Sequence, residues 1–353
     1  MSAYLNTRVS LYAGRLWPVE YFDVLLRTPD AEMGDMLAER GLPLLAAGFT
    51  EHDRPATSTD VLSLEQRIIA QTLEETRVLI RPLNGDARNL LIYWTARFEV
   101  SNVKTLLRGK MTGERPAVLL ARLTPMGAFG RLDNHALAHT EDVTELLRKL
   151  EAGPFASIVS QAKRAFEQSQ DPFNLDAALD RAYYEGLARR AQPLERVDGA
   201  GLRTLMADLI DRINLTWLLR YRFNYNLPPA QVYFLLVGAH YTLSAAYLRE
   251  LAALGSLEAV LDKLPPGLRT KLASVTDIPG VFAAMERAAA ENALKVLRSN
   301  APAISRAFAY LLLRERDLRA VRAVLRGRHL GLPEIDIRFA LQQGQHQAAL
   351  GGI

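Results

Sequence analysis

A twelve-residue pattern that recurs three times constrains this chain more than any other feature. The copies run from Glu99 through Asn102 to Lys110, from Asp211 through Asn214 to Arg222, and from Asp317 through Ala320 to Arg328. Counted from the central residue, each has an acid at −3 and apolar residues at +1, +4 and +5. The +5 residues are Leu107, Leu219 and Leu325. Arginine follows at +6 (Arg108, Arg220, Arg326) and a base at +8, and a proline comes after each copy: Pro116, Pro228 and Pro333. The copies lie 214 − 102 = 112 and 320 − 214 = 106 residues apart, a period that points to serial duplication of a helical unit. A weaker echo at Asn6, Val9, Arg15 and Leu16, before Pro18, implies three units, expected at 1–115, 116–227 and 228–353.

Residues four apart share a helix face, so Asn102 lies between Phe98 and Leu106, and Asn214 between Ile210 and Leu218. An amide held among apolar neighbours needs a partner. The acids one turn earlier, Glu99 and Asp211, are the expected acceptors. The bases after the motif suit a helix C-terminus. The pattern thus reads as a device for packing and ending one long helix per unit, not as a ligand site.

Helix dominates the rest of the sequence. Leu, Ala and Arg are abundant, Gly and Pro punctuate the chain, and no run alternates cleanly enough to demand a sheet. The expected fold class is all-α. Helices are expected near 64–80, 88–108, 141–167, 201–221, 230–251, 279–298 and 302–326. The stretches 41–59 and 116–140 read as mostly irregular. Uncharged residues 223–248 contain about 17 apolar-leaning positions, short of the roughly 20 needed to span a bilayer. They are expected to form a helix buried at an inter-unit core, with His240 as a hydrogen-bonded core histidine.

The 353 residues are 49% hydrophobic and 23% charged, which excludes a disordered or fibrous chain. A net charge of +4 on this length gives no concentrated basic face of the kind that binds nucleic acid. Cysteine is absent, so disulfides, thiolate metal sites and a cysteine nucleophile are excluded. The N-terminus lacks the apolar run of a signal peptide, and a cytosol-facing location is expected.

Several of these segments together resemble one family. Besides the copy at Glu99–Lys110, they are Phe173-Asn-Leu-Asp176 continuing through Asp180 and Tyr183-Tyr184-Glu185 to Leu187, and Tyr310 to Asp317 running into Arg328. Tyr4-Leu-Asn-Thr-Arg8-Val9 and Glu291-Asn292 add to the set. In this order they are similar to the C subunit of the bacterial and archaeal V/A-type ATPase, the family to which the d subunit of the vacuolar proton pump also belongs. Residues 41–85 and 115–165 add little to the likeness, and Ala320 departs from the asparagine found in the other copies.

The resemblance implies three similar all-α domains in a pseudo-threefold funnel. It implies a non-catalytic central-stalk subunit, without a cofactor, on the cytoplasmic face of the membrane. Its partners would be the rotor shaft and the proteolipid ring, the latter associating it with the membrane without spanning. Its role would be to transmit torque for ATP-coupled proton or sodium transport. The alternative is a generic helical repeat scaffold unrelated to an ion pump.

Features of an enzyme are sparse. Gly127-Ala-Phe-Gly130 lacks the strand and the Lys-Ser/Thr of a phosphate loop. His135 and His139 stand at i, i+4 with acids nearby, yet no glutamate follows His135 as in zinc proteases, so they are expected to be surface histidines. Tyr183 and Tyr184 are expected to pack between units. The arginines from Arg314 to Arg328 give one helix a local positive field suited to an acidic protein partner or to solvent.

Overall fold

The computed structural model describes residues 2–18, 20–47, 58–169 and 171–342. They form helices joined by turns, with no strand among the described residues. In chain order the first helices are α1 (Ser2–Ala13), α2 (Glu20–Arg27), α3 (Asp30–Glu39), α4 (Pro43–Ala46), α5 (Ser58–Ile80) and α6 (Gly85–Met111). There follow α7 (Pro116–Arg122), α8 (Asn134–Ala138), α9 (Val143–Glu151), α10 (Ala156–Ser169), α11 (Pro172–Asp198) and α12 (Ala200–Leu219). The last are α13 (Pro229–Leu235), α14 (Ala245–Ala253), α15 (Leu257–Lys263), α16 (Pro266–Lys271), α17 (Ile278–Arg298), α18 (Ala303–His329) and α19 (Glu334–Gln342).

Local chemistry sets many of these boundaries. Proline occupies the first turn of α4, α7, α13 and α16, where its missing N–H costs nothing. Asp133, Asp142, Ser244 and Ser256 cap α8, α9, α14 and α15, each accepting a backbone N–H three residues on.

The chain forms two compact units, one drawn from residues 1–91, 198–205 and 286–352, the other mainly from 92–197 and 206–285. In the first, α18 packs against α1, α2, α5 and α19. Its core joins Trp17, Leu25, Met33, Leu37, Leu42 and Leu45 to Leu318, Val321, Val324 and Ile337, so both ends of the sequence supply one apolar interior. In the second unit, Trp217, Phe155, Leu146 and Leu179 are among the buried side chains. Tyr183 stacks on Tyr93 at 5.4 Å and donates to the Trp94 carbonyl, while Tyr184 meets Trp217 edge-on. In terms of the expected units, Tyr183 meets Tyr93 and Trp94 across the stretches 1–115 and 116–227, whereas Tyr184 and Trp217 both lie in 116–227.

Three expectations change. The helix expected over 230–251 is two short helices, α13 and α14, separated by non-helical residues 236–244. Phe234 is 72% exposed and His240 is also exposed, so this segment is not a uniformly buried rod and His240 is not a core histidine. The helix expected over 141–167 breaks into α9 and α10 at Gly153-Pro154, since proline disfavours helical geometry in the residue before it. Within 116–140, expected to be irregular, the chain forms α7, a 3₁₀ turn at Gly127–Phe129 and α8. Residues 43–46 form α4, and 48–57 lie outside the described residues.

One close helix contact rests on a glycine. A Cβ on Gly186 of α11 would stand 2.1 Å from the Tyr93 hydroxyl of α6. Gly186→Ala is expected to destabilise the protein by about 1–3 kcal/mol in urea unfolding, through overpacking. Gly255→Ala, where no atom lies within 4 Å, should stay within about 0.5 kcal/mol of the parent.

Candidate functional site

The recurring sequence pattern folds into a recurring set of hydrogen bonds. Asn102 lies in α6 with 3% exposure, and its amide pairs with both backbone groups of Thr124: Nδ2 donates to the carbonyl at 2.9 Å and Oδ1 accepts the N–H at 2.8 Å. Asn214 of α12, fully buried, does the same to Val237 at 3.2 and 2.8 Å. Thr124 follows α7, and Val237 follows α13. Each asparagine thus replaces the hydrogen bonds that a buried stretch of chain loses on leaving a helix.

The acids act further along the same segments. Glu99 Oε1 accepts the N–H groups of Arg131 and Leu132 at 2.6 and 3.1 Å. Asp211 accepts those of Thr242 and Leu243 at 3.1 and 3.0 Å. The expected bond from the asparagine amide to the acid one turn earlier does not form. Backbone N–H groups in the non-helical segments have no helical partner and take the carboxylates instead. This also explains the break between α13 and α14: Asn214 and Asp211 hold residues 237, 242 and 243 out of helical pairing.

In the third copy the acid reaches across the sequence. Asp317 of α18, 1% exposed, accepts the N–H of Trp17 at 2.8 Å, a partner 300 residues earlier. The segment ahead of Trp17 is α1, whose backbone groups pair within the helix. No asparagine is needed to satisfy them, which accounts for Ala320.

The +8 bases complete the set. Lys110 donates to the carbonyls of Ala138 and Thr140 at the end of α8. Arg222 donates to those of Ala252 and Leu254 at the end of α14, at 2.7 and 3.2 Å. Arg328 donates to those of Leu25 and Thr28 at the end of α2. Each cation meets the orphan carbonyls of a helix other than its own. Leu107 and Leu219 are fully buried and Leu325 is 6% exposed.

The +6 arginines do not share one role. Arg108 pairs with Asp176 of α11, Arg220 donates to the Tyr225 hydroxyl at 2.9 Å, and Arg326 is exposed.

The long helices also end alike. Gly113, Asn226 and Gly331 take positive φ of 70°, 53° and 63°. The residue after each donates back to Gly109, Tyr221 and Gly327 respectively. Leu119 fills the space beside Gly109, and Ile337 the space beside Gly327. The copy with Tyr221 at that place is the one whose helix widens into a π turn, Arg220–Asn224.

Burial raises the pKa of all three motif acids. Backbone N–H groups and Arg131 partly offset it for Glu99, as Thr242 and Leu243 do for Asp211. Asp317 is pushed up to about 6, with the Trp17 N–H and then Arg316 and Arg314 opposing the shift. Near it, Arg314, 1% exposed, bridges Glu75 at 2.9 Å and donates to the carbonyls of Gly41 and Arg15, and the Tyr310 hydroxyl also donates to Glu75.

The arginine series of α18 is largely used inside the fold. Arg319 pairs with Glu286, Arg322 with Glu65 and Arg328 with Asp30, in addition to the Arg314 network. It does not present the open positive face that its sequence suggests. His135 and His139 are exposed at the end of α8, where the His135 carbonyl lies 2.8 Å from His139 Nδ1. Among the described residues, no group of three or more His, Cys, Asp or Glu is placed to hold a metal ion. The N-terminal echo differs in kind: Asn6 Oδ1 accepts from the Arg306 guanidinium at 2.7 Å.

The ordered pattern has counterparts in known proteins. The model of the ATP synthase (C/AC39) subunit family matches residues 5–339. The chain belongs to that family. It is 25% identical over 339 residues to the C subunit of the V-type ATP synthase of Thermus thermophilus, covering 95% of this chain and 96% of the relative. The C subunit of the A-type ATP synthase of Methanocaldococcus jannaschii is 24% identical over 270 residues, 74% of this chain. That of Methanothermobacter thermautotrophicus is 26% identical over 218 residues, 62% of this chain. The matches span 64% and 54% of the length of these two archaeal relatives. The family is that of a non-catalytic stalk subunit in a rotary ATPase complex. Among the described residues, no helix is long and apolar enough to cross a membrane.

Asn102→Ala, which orphans the N–H and C=O of Thr124, should cost about 2–4 kcal/mol in urea unfolding. Ala320→Asn should also destabilise, by about 1–3 kcal/mol, because it buries an amide beside an already paired helix.

The Asp317 pKa is raised on folding, so its stabilising contribution is present below its unfolded value of 3.8 and lost as pH rises through about 6. Asp317→Asn keeps an oxygen for Trp17 and removes this titration. In urea unfolding at pH 4 and pH 7.5, its stability relative to the parent should therefore be higher at pH 7.5.

Proposed function

We propose that this chain is the central-stalk socket of a V/A-type rotary ATPase, joining the rotor shaft to the proteolipid ring and transmitting torque during ATP-coupled proton or sodium transport. In this reading the three similar domains, 1–115, 116–227 and 228–353, form a pseudo-threefold funnel. The funnel receives the shaft and rests on the ring at the cytoplasmic face of the membrane. No cofactor is required. The ion is chosen by the ring, not by this chain.

One observation carries the reading beyond family membership. The acid at −3 and the base at +8 make equivalent contacts in all three copies, and in the third copy both return to the start of the chain. A closed threefold arrangement of serial repeats requires such a return, because the last repeat has no following repeat to clamp. The clamps also suit a part under load. They fix chain segments to long helices through charged and amide side chains that are largely buried, where hydrogen bonds are electrostatically stronger than in water.

Pull-down of the tagged protein from its own membranes in gentle detergent, with mass spectrometry, tests the assignment. Shaft and proteolipid-ring subunits should be recovered and should be absent from a control bait. A well-folded bait that recovers neither would leave a helical scaffold outside the pump as the better reading.

A further inference from the structure

Among the described residues, three arginines of the second unit act on one another with little carboxylate nearby. Arg131 follows the 3₁₀ turn, Arg189 and Arg190 are neighbours on α11, and all three lie in the second unit, with their charges acting on Tyr93 of α6. The Arg190 guanidinium lies over the Tyr93 ring at 3.7 Å and donates to the Gly186 carbonyl at 2.9 Å. Arg131 lies over Phe155 at 4.7 Å. Two guanidiniums thus sit over aromatic rings, a cation–π contact that leaves other N–H groups of each guanidinium to find partners.

The charge balance is one-sided. Among the described residues, no carboxylate lies within ion-pair distance of Arg189 or Arg190. Arg131 has Glu99 at 3.6 Å, but that carboxylate already accepts two backbone N–H groups and is buried. The three arginines act on one another. Burial lowers the Arg190 pKa, and Arg189 and Arg131 lower it further, while all three oppose the rise that burial imposes on the Tyr93 phenol. Three like charges held together with little compensation work against folding, and such arrangements are found where a ligand of opposite charge completes them.

We propose that Arg131, Arg189 and Arg190 form a docking site for acidic side chains of a protein partner. Naming that partner as another member of the ATPase complex rests on the stalk reading above; the chemistry of the site does not. The cluster is open: the Arg131 side chain is 38% exposed and Arg189 is exposed. A small free anion is held in an enclosing pocket, whereas exposed arginines beside an arginine and an aromatic ring that are largely buried have the composition of a protein interface. Nucleic acid is disfavoured because the one tyrosine at the cluster centre is only 6% exposed and offers no face on which bases can stack.

The test titrates the purified chain with a fluorescent octaglutamate peptide and separately with inorganic phosphate, at low and moderate salt. The variants are Arg189→Glu and the pair Arg131→Gln with Arg189→Gln. Arg249→Glu on α14 is the control, with the same charge change as Arg189→Glu at an exposed residue outside the cluster. Circular dichroism melting of each variant shows that it is folded. The peptide should bind the parent and the control alike, and both cluster variants about three- to tenfold more weakly, with affinity falling as salt rises. Equal peptide affinity across parent, control and variants would overturn the proposal. So would phosphate binding to the cluster at concentrations where the peptide does not bind.

The same variants used as pull-down baits keep the two readings apart. Recovery of ATPase subunits by the parent but less by Arg189→Glu supports both. Equal recovery by parent and Arg189→Glu overturns a role for the cluster in the complex and leaves the stalk reading intact. A parent that recovers none removes the stalk reading, and the peptide result then stands alone.

Discussion

The structure depends on how it offsets the cost of leaving a helix inside a packed protein. A chain that turns away from a helix exposes backbone N–H and C=O groups that water would otherwise satisfy. Here those groups are met by side chains rooted in long neighbouring helices: an asparagine that copies a peptide's own donor and acceptor, a carboxylate that collects two N–H groups, and a cation that covers helix-end carbonyls. Because the long helix holds these three groups at fixed spacing, one element sets the course of the next thirty or so residues. The short helices α7, α8, α13 and α14 take their places from it.

The same logic explains the departures between copies. Where the clamped stretch is non-helical, an asparagine is present; where it follows α1, alanine is enough. Where glycine ends the long helix, an apolar side chain from the next helix packs into the gap; where tyrosine stands there, the helix widens by a π turn. Each variation follows from what the neighbouring backbone already supplies. The motif is therefore better described by the bonds it makes than by its letters.

Much of the architecture was legible in the sequence. The all-α class, the long helices and the repeat follow from periodicity and punctuation, and the structure places α5, α6, α12, α17 and α18 close to where those signals put them. The targets of the motif were not legible. Nothing local to Asn214 says that its partner is Val237, since that pairing depends on how the chain returns. The break at 236–244 was hidden for the same reason, because an uncharged run reads as one helix until an outside side chain claims its backbone. The arginines of α18 misled in the opposite direction. Their partners Glu65, Glu75, Glu286 and Asp30 lie far off in sequence, so a buried ion network looked like a charged surface. The bond from Asp317 to Trp17 spans nearly the whole chain and left no local trace.

That last bond bears on the order in which the protein is made. The unit built around α18 combines the first 91 residues with residues after 286. As the chain leaves the ribosome, helices α1 to α5 appear early but must wait for α18 before Trp17, Leu25 and Leu37 can be covered. Most of the other unit is synthesised in between and has its interior to hand before α18 emerges. Domains fold as they are completed. The stretch that precedes the other unit is thus completed after it, and its apolar face stays open to chaperones while the other unit is made.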